Sequence, residues 1–247
     1  MVYGGYLNLK MMLVVAHPDD ECFAFGGALA LAADQGVETY VICLTDGQAA
    51  THRGDAASGE ELGKMRRAEF AASCDVLGVT HHELLDYHDA QLEFTNIAKT
   101  AGRLVKRMRR FQPDVVLTFG SDGALNAHPD HMVVSMVTTA AFHWSGRPNR
   151  YPDLGAPFQP SRLFTLSSNF VLPDRQAPFL SPWTVVLDIR SVRDRKTEAF
   201  RQHTSQAPLM ERTRAIFDQY GAEEFYTLLA ASTPQPAQML TDLFADL

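Results

Sequence analysis

Residues 13–27, LVVAHPDDECFAFGG, constrain the fold of this chain more than any other stretch. Residues 12–16 are a short apolar run of the kind that fills a parallel strand buried on both faces. The run breaks off into His17-Pro18-Asp19-Asp20-Glu21, where four of the five side chains can ligate a metal or move a proton. Pro18 stiffens the turn by fixing its φ at about −65°. Gly26-Gly27 and a run of alanines and leucines then open a helix. Polar groups at the carboxyl end of a strand lie where open α/β sheets place their sites. His17 and Asp20 stand three apart, so a tight turn aims both at one ion. Asp19, between them, points elsewhere and is spare for catalysis.

The rest of the chain repeats the strand–helix alternation. A helix near residues 23–35 closes at Gly36, and a strand at 37–45 ends in the polar loop Thr45-Asp46-Gly47-Gln48, which runs to about Ser58. Leu62, Met65, Ala68, Ala72 and Val76 recur at helical steps over residues 60–77, and Gly78 caps that helix. A short strand at 83–86 precedes Tyr87-His88-Asp89-Ala90. Ile97, Ala101, Leu104 and Met108 line a helix that stops before Pro113, and a strand at 115–119 leads to SDGALNAHPDH and a helix near 132–143. Residues 145–160 and 172–182, rich in proline and glycine, read as loops. Strands are expected at 162–168 and 184–189, and helices near 192–203, 209–220 and 223–231. This order predicts an α/β, Rossmann-like three-layer sandwich with a mainly parallel sheet and helices on both faces. Residues 1–247 read as one domain. Residues 1–11 are a candidate leader, and 145–247 supply edge strands and cap helices.

Charge and cysteine usage narrow the partners. The 22 basic and 29 acidic residues leave a net charge of −7, against the basic footprint of a nucleic-acid binder. No apolar run approaches the ~18 residues of a membrane span. Cys22, Cys43 and Cys74 are too few and too scattered for a disulfide framework, which fits a reducing, cytoplasmic setting. The expected partner is a small molecule, with neither nucleic acid nor membrane, and the chain is expected to form a homo-oligomer.

His17-Pro-Asp-Asp20 and His128-Pro-Asp-His131 both follow apolar strands, so the two loops can converge on one sheet edge. Together they offer His17, Asp20 and His131, the donor set of a catalytic zinc that keeps a fourth position for water. Asp19 is placed to take that water's proton, and His128 to steady a developing oxyanion. Against this stands the plain reading of HPDD as a turn with an N-cap aspartate. Two matching clusters after two separate strands favour the metal. His81, His82 and His88 flank one strand and read as structural. Cys22 reads as a small buried helix residue, and Lys99, Arg103, Lys106, Arg107, Arg109 and Arg110 read as a solvated helix face.

AHPDDE after the first strand, with HPDH about 110 residues later, resembles the LmbE-like (PIG-L) N-acetylglucosaminyl deacetylase superfamily. Weaker matches add to it: Thr45-Asp46-Gly47, Arg66 and Glu69 before Leu77-Gly78-Val79, Asp89-Ala90-Gln91-Leu92, and a K-x-x-A-x-x-x-H-x-S-Q pattern at Lys196, Ala199, His203, Ser205 and Gln206. The resemblance implies a zinc-dependent hydrolase that removes an acetyl group from an N-acetylglucosamine-type amino sugar or related small amide. It implies His17, Asp20 and His131 as zinc ligands, Asp19 as general base and His128 as oxyanion stabiliser. Asp130 would tune the charge of His128, and Arg66 and Asp89 would touch the sugar. Two positions depart from the pattern. Asn126 stands where some members have a tyrosine, and Ala90 where D-G-x-L has its glycine. Residues 51–58 and 145–182 are the variable loops expected to choose the aglycone. Two other readings stay open: a metal- or sugar-binding protein without turnover, and a Rossmann-type nucleotide-binding transferase resting on Gly26-Gly27.

Overall fold

The computed structural model describes residues 6, 8–171, 180–235 and 238–247. β1 (Lys10–Val15) runs into α1 (Asp20–Phe23) and α2 (Gly26–Asp34), followed by β2 (Glu38–Thr45), α3 (Gly59–Leu77) and β3 (His81–Tyr87). Next come α4 (Ile97–Phe111), β4 (Val115–Thr118), α5 (Pro129–Ser145) and β5 (Arg162–Ser167). The chain then forms β6 (Val185–Asp188), α6 (Arg193–Arg201), α7 (Ala207–Tyr220) and β7 (Glu223–Ala231). The seven strands make one sheet in the order β3-β2-β1-β4-β5-β7-β6. β3, β2, β1, β4 and β5 are parallel, whereas β7 is antiparallel to both β5 and β6. α4 packs on α5, while α2, α3 and α6 form a second group. The expected α/β three-layer fold is the one observed.

β1 is the central strand, and residues Met11 to Ala16 are fully buried because strands flank it on both sides. Chain order proceeds outward from β1 in opposite directions, through β2 and β3 on one side and β4 and β5 on the other. The carboxyl ends of β1 and β4 therefore border the point where strand order reverses, and there open α/β sheets form a crevice.

Four expectations need correction. Residues 223–231 are strand β7 and not a helix. Glu, Leu and Ala favour a helix locally, but pairing between β5 and β6 overrides that preference. The helix expected over 23–35 is two helices, α1 and α2, separated by Ala24 and the buried Phe25. Of the candidate leader, residues 1–5 and 7 lie outside the described residues. Lys10 and Met11 already belong to β1, and the Tyr6 hydroxyl donates to Asp242 at 2.6 Å. The solvated basic face is also wrong for Arg109, which is 5% exposed. Of the loop expected at 172–182, residues 172–179 lie outside the described residues.

The glycine pair has a structural explanation. Glu224 on β7 reaches the start of α2 and accepts the N–H groups of Gly27 and Ala28 at 2.7 and 2.8 Å. Lys196 and the Tyr226 hydroxyl donate to the same carboxylate, each at 2.6 Å. A Cβ on Gly27 would lie 2.4 Å from Ile189 and 2.7 Å from Glu224. The helix N-terminus that could take a phosphate is thus occupied by a carboxylate of the chain itself, which removes the support for a nucleotide site.

Arg109 uses all five of its N–H donors on main-chain carbonyls, those of Ser145, Arg147, Arg150, Tyr151 and Gly155, at 2.6–3.2 Å. It is a template for the loop after α5. Arg109→Met should therefore lower stability by roughly 2–4 kcal/mol, since the carbonyls lose their donors in a buried setting. Arg109→Lys, with three donors, should recover part of that loss. Urea unfolding of the two variants checks this, and an unchanged midpoint in Arg109→Met would refute the templating role.

Candidate metal centre and active site

The loops after the first four parallel strands, β1 to β4, meet at one edge. The turn after β1 brings His17, Asp19 and Asp20; the loop after β2 brings Gly47; the segment after β3 brings Asp89 and Ala90; and the long loop after β4 delivers His128, Asp130 and His131 at the start of α5. His17, Asp20, Asp89, Asp130 and His131 are all buried.

Backbone geometry fixes the first cluster. Asp20 Oδ2 accepts the N–H groups of His17 at 2.8 Å and of Ala16 at 3.2 Å, which closes the turn. His17 Nδ1 lies 3.6 Å from Asp20 Oδ2, and His131 Nε2 lies 3.2 Å from Asp20 Oδ1, so Asp20 sits between the two imidazoles. Each imidazole has its other nitrogen engaged. His17 Nε2 meets Asp89 Oδ1 at 3.0 Å and Asp130 Oδ2 at 3.1 Å, and His131 Nδ1 meets the Gly123 carbonyl at 3.2 Å. The His131 ring stacks on Phe119 with centroids 3.9 Å apart. Such partners orient metal-binding histidines and leave the opposite nitrogen for the ion. One ring nitrogen from each of His17, His128 and His131 also falls within a 4.8 Å cluster, and His17, Asp89 and Asp130 form another such group.

Asp19 stands apart from this cluster. Its φ is 103°, the left-handed region, at the N-terminus of α1. Its Oδ2 accepts from Arg66 at 2.9 Å. Arg66 also donates to the Gly47 carbonyl at 3.0 Å and to the Pro18 carbonyl. Arg66 was expected to touch sugar; it is 3% exposed and lies beneath Asp19 instead. Asp89 likewise points its carboxylate inward, to His17 and to the Ala49 N–H at 3.0 Å.

Asp130 acts on His128 by its charge, which favours the protonated form, and not by contact of its carboxylate. Its carboxylate contacts His17, not His128, and accepts the N–H groups of Ala90 at 2.8 Å and Leu92 at 3.2 Å. What reaches His128 is the Asp130 backbone N–H, donated to Nδ1 at 3.2 Å. That contact assigns the proton of a neutral His128 to Nε2.

Electrostatics separates the groups. Burial pushes the Asp19 carboxyl up and Arg66 pulls it down, with a net rise to about 6. Asp20 feels the same burial, but the neighbouring His131 and His17 outweigh it and hold it well below the carboxylate range. Burial disfavours a charged His17, yet its bonds to Asp130 and Asp89 raise it to about 10. His128 is lowered by burial and by the neighbouring His17 and His131, which favours its neutral form.

Two buried side chains behind Asp19 were not assigned from sequence. Glu21 and His203 meet at 2.7 Å, and both had signals in the sequence, within HPDDE and within the K-x-x-A-x-x-x-H-x-S-Q pattern.

The comparisons with known proteins converge on one family. Residues 12–142 match the model described as PIG-L, GlcNAc-PI de-N-acetylase. The chain is 29% identical over 178 residues to mycothiol S-conjugate amidase of Streptomyces coelicolor, covering 64% of this chain and 60% of that protein. It is 30% identical over 200 residues to diacetylchitobiose deacetylase of Thermococcus kodakarensis, covering 81% of this chain and 70% of the relative. Among solved structures, N,N'-diacetylchitobiose deacetylase from Pyrococcus horikoshii superposes with a TM-score of 0.73 at 25% identity, covering 89% of this chain and 83% of that one.

Ala90 occupies the position where the sequence pattern has glycine, and its φ of 61° is left-handed. Its N–H still reaches Asp130, so alanine keeps the turn at a steric penalty. Ala90→Gly should raise stability by about 0.5–1 kcal/mol, as relief of a left-handed alanine exceeds the added chain entropy. Thermal unfolding tests this; a lower midpoint would mean that the turn is not strained at Ala90.

Proposed function

The chain belongs to the PIG-L family of GlcNAc-PI de-N-acetylases, and from that premise we propose that it is a zinc-dependent hydrolase removing the acetyl group of an N-acetylglucosamine-type amino sugar or related small amide. One observation carries the reading. Two imidazoles and a carboxylate converge with their outer nitrogens already engaged, beside a separate carboxylate held by an arginine. Both an amidase and deacetylases stand among the relatives, and hydrolysis of an amide is the chemistry their names share.

The donor set fits zinc: His17 Nδ1, His131 Nε2 and Asp20 would hold it. Zinc, when bound, would acidify a water and polarise the acetyl carbonyl. Asp19 takes the proton of the attacking water, and with Oδ2 fixed by Arg66 its other oxygen is left for the task. Its raised pKa suits a base that must also give up a proton near neutrality. His128 donates from Nε2 to the acetyl oxygen as negative charge gathers there. The amide C–N bond then breaks, the amine takes a proton from the acid form of Asp19, and acetate leaves. Asp89 and Asp130 fix the orientation of His17 and do not meet substrate in this scheme.

Purified protein reconstituted with zinc and offered a panel of N-acetylglucosamine derivatives should release acetate. Zinc bound without acetate release on any member would favour the binding protein without turnover. His131→Ala should lose most of its zinc. His128→Ala should keep it and bind substrate normally, while kcat falls by about 10²–10³. The reverse pattern of zinc loss would exchange the two roles.

The rate should also depend on the charge of Asp19. Its carboxylate form is present above a pKa of about 6 and disappears as pH falls through that value. kcat/KM is therefore expected to climb with pH through a limb near 6. A profile flat from pH 5 to about 8 would remove Asp19 as the base.

A further inference from the structure

Asp19 sits at φ 103°. A glycine would hold such a turn without strain, whereas a side chain there is strained and persists only when its surroundings over-determine it. Five hydrogen bonds do so. Arg66 grips the carboxylate and the preceding Pro18 carbonyl. The Asp19 carbonyl accepts the Phe23 N–H at 2.9 Å and the Cys22 thiol at 3.1 Å. The Asp19 N–H donates to Glu21 Oε2 at 2.9 Å.

The last contact rests on a fully buried network. Glu21 is 0% exposed, and its second oxygen accepts from the Ser73 hydroxyl at 2.6 Å and from His203 Nε2 at 2.7 Å. His203 is 1% exposed, and among the described residues its Nδ1 has no partner, so its ring is held there by Glu21. A buried carboxylate needs such donors to stay in place. His203 is itself carried by the short turn after α6, where Glu69 of α3 accepts the N–H and hydroxyl of Ser205, each at 2.7 Å. Arg66, Glu69 and Ser73 lie on one face of α3, so one helix braces both sides of Asp19.

We propose that Glu21 and His203 are positioning residues for Asp19, holding its strained turn through the backbone N–H so that the carboxylate stays aimed at the reacting water. This rests on the reading of Asp19 as general base. Neither residue touches substrate.

The test uses the full-length, zinc-loaded chain and two readouts. The first is hydrogen exchange of the Asp19 amide by NMR, which is independent of activity. The second is the separation of kcat from KM, with zinc content measured alongside. Glu21→Gln and His203→Ala should speed exchange at Asp19 by about tenfold or more. They should lower kcat by roughly ten- to a hundredfold through displacement of the base, with KM and zinc nearly unchanged. His203→Gln, which keeps a donor near the Nε2 position, should restore both readouts most of the way. In an Asp19→Ala background, Glu21→Gln should have almost no further effect on kcat.

Unchanged Asp19 exchange in Glu21→Gln and His203→Ala would overturn the proposal, as would a full second loss of rate in the Asp19→Ala background. If Glu21→Gln does not fold, His203→Ala against His203→Gln decides in the same way. A wild-type chain that releases no acetate would count against the deacetylase reading, while the exchange measurement still decides whether this network holds the turn.

Discussion

The Asp130 carboxylate is the contact on which the site's geometry depends. At 1% exposure it would be expensive to keep ionised, yet it accepts from the His17 ring and from the N–H groups of Ala90 and Leu92. Those donors belong to the loops after β1 and β3, while Asp130 itself opens α5 after β4. One desolvated anion therefore ties three strand ends together, and the ends can be polar because the anion needs them. His17 gains its orientation and the crevice its depth from the same contact. Asp89 repeats the pattern by joining the loop after β2, through the Ala49 N–H, to His17.

The structure contains two kinds of buried charge. One kind has its partners within the site: Asp20 between two imidazoles, and Arg66 against the half-buried Asp19. The other is remote and architectural. Lys196, Glu224 and the start of α2 form one such knot; Arg109 and five carbonyls form another. Both kinds obey the same rule, that a buried ion is kept only where nearly every hydrogen-bonding position is matched.

Much of the parallel half was legible in the sequence, because its signals are local. Residues 12–16 are apolar throughout and are followed by His17-Pro18, and helix α3 shows its period and its glycine cap. The pairing of HPDD with HPDH foretold that His17, Asp20 and His131 would meet, since strand ends on one edge leave them little choice. Partnerships between distant segments were not legible. Nothing local in HPDH says that its aspartate turns to His17 instead of His128, and nothing in Arg66 says that it lies under Asp19. β7 is hidden for the same reason: EEFYTLLAA carries helix-forming residues, and pairing with β5 and β6 makes it a strand. Arg109 looked like its basic neighbours on α4 because its carbonyl partners lie 36 to 46 positions further on.

The segment between Lys196 and Glu224 has a consequence for how such a chain can vary. Residues 12–142 carry the chemical groups, but Lys196, His203, Ser205, Gln206 and Glu224 fasten them from behind, at α2, Glu21, Glu69 and the His52 carbonyl. The stretch with the recognisable motifs is thus not an autonomous module, and a fragment ending after α5 would leave Glu21 and Glu69 without these donors. Between the two anchored regions, the chain from 156 to 161 leads into the amino end of β5 and carries no such duty. Insertions and deletions can accumulate there, at the sheet edge opposite the crevice, while the reacting groups keep their places.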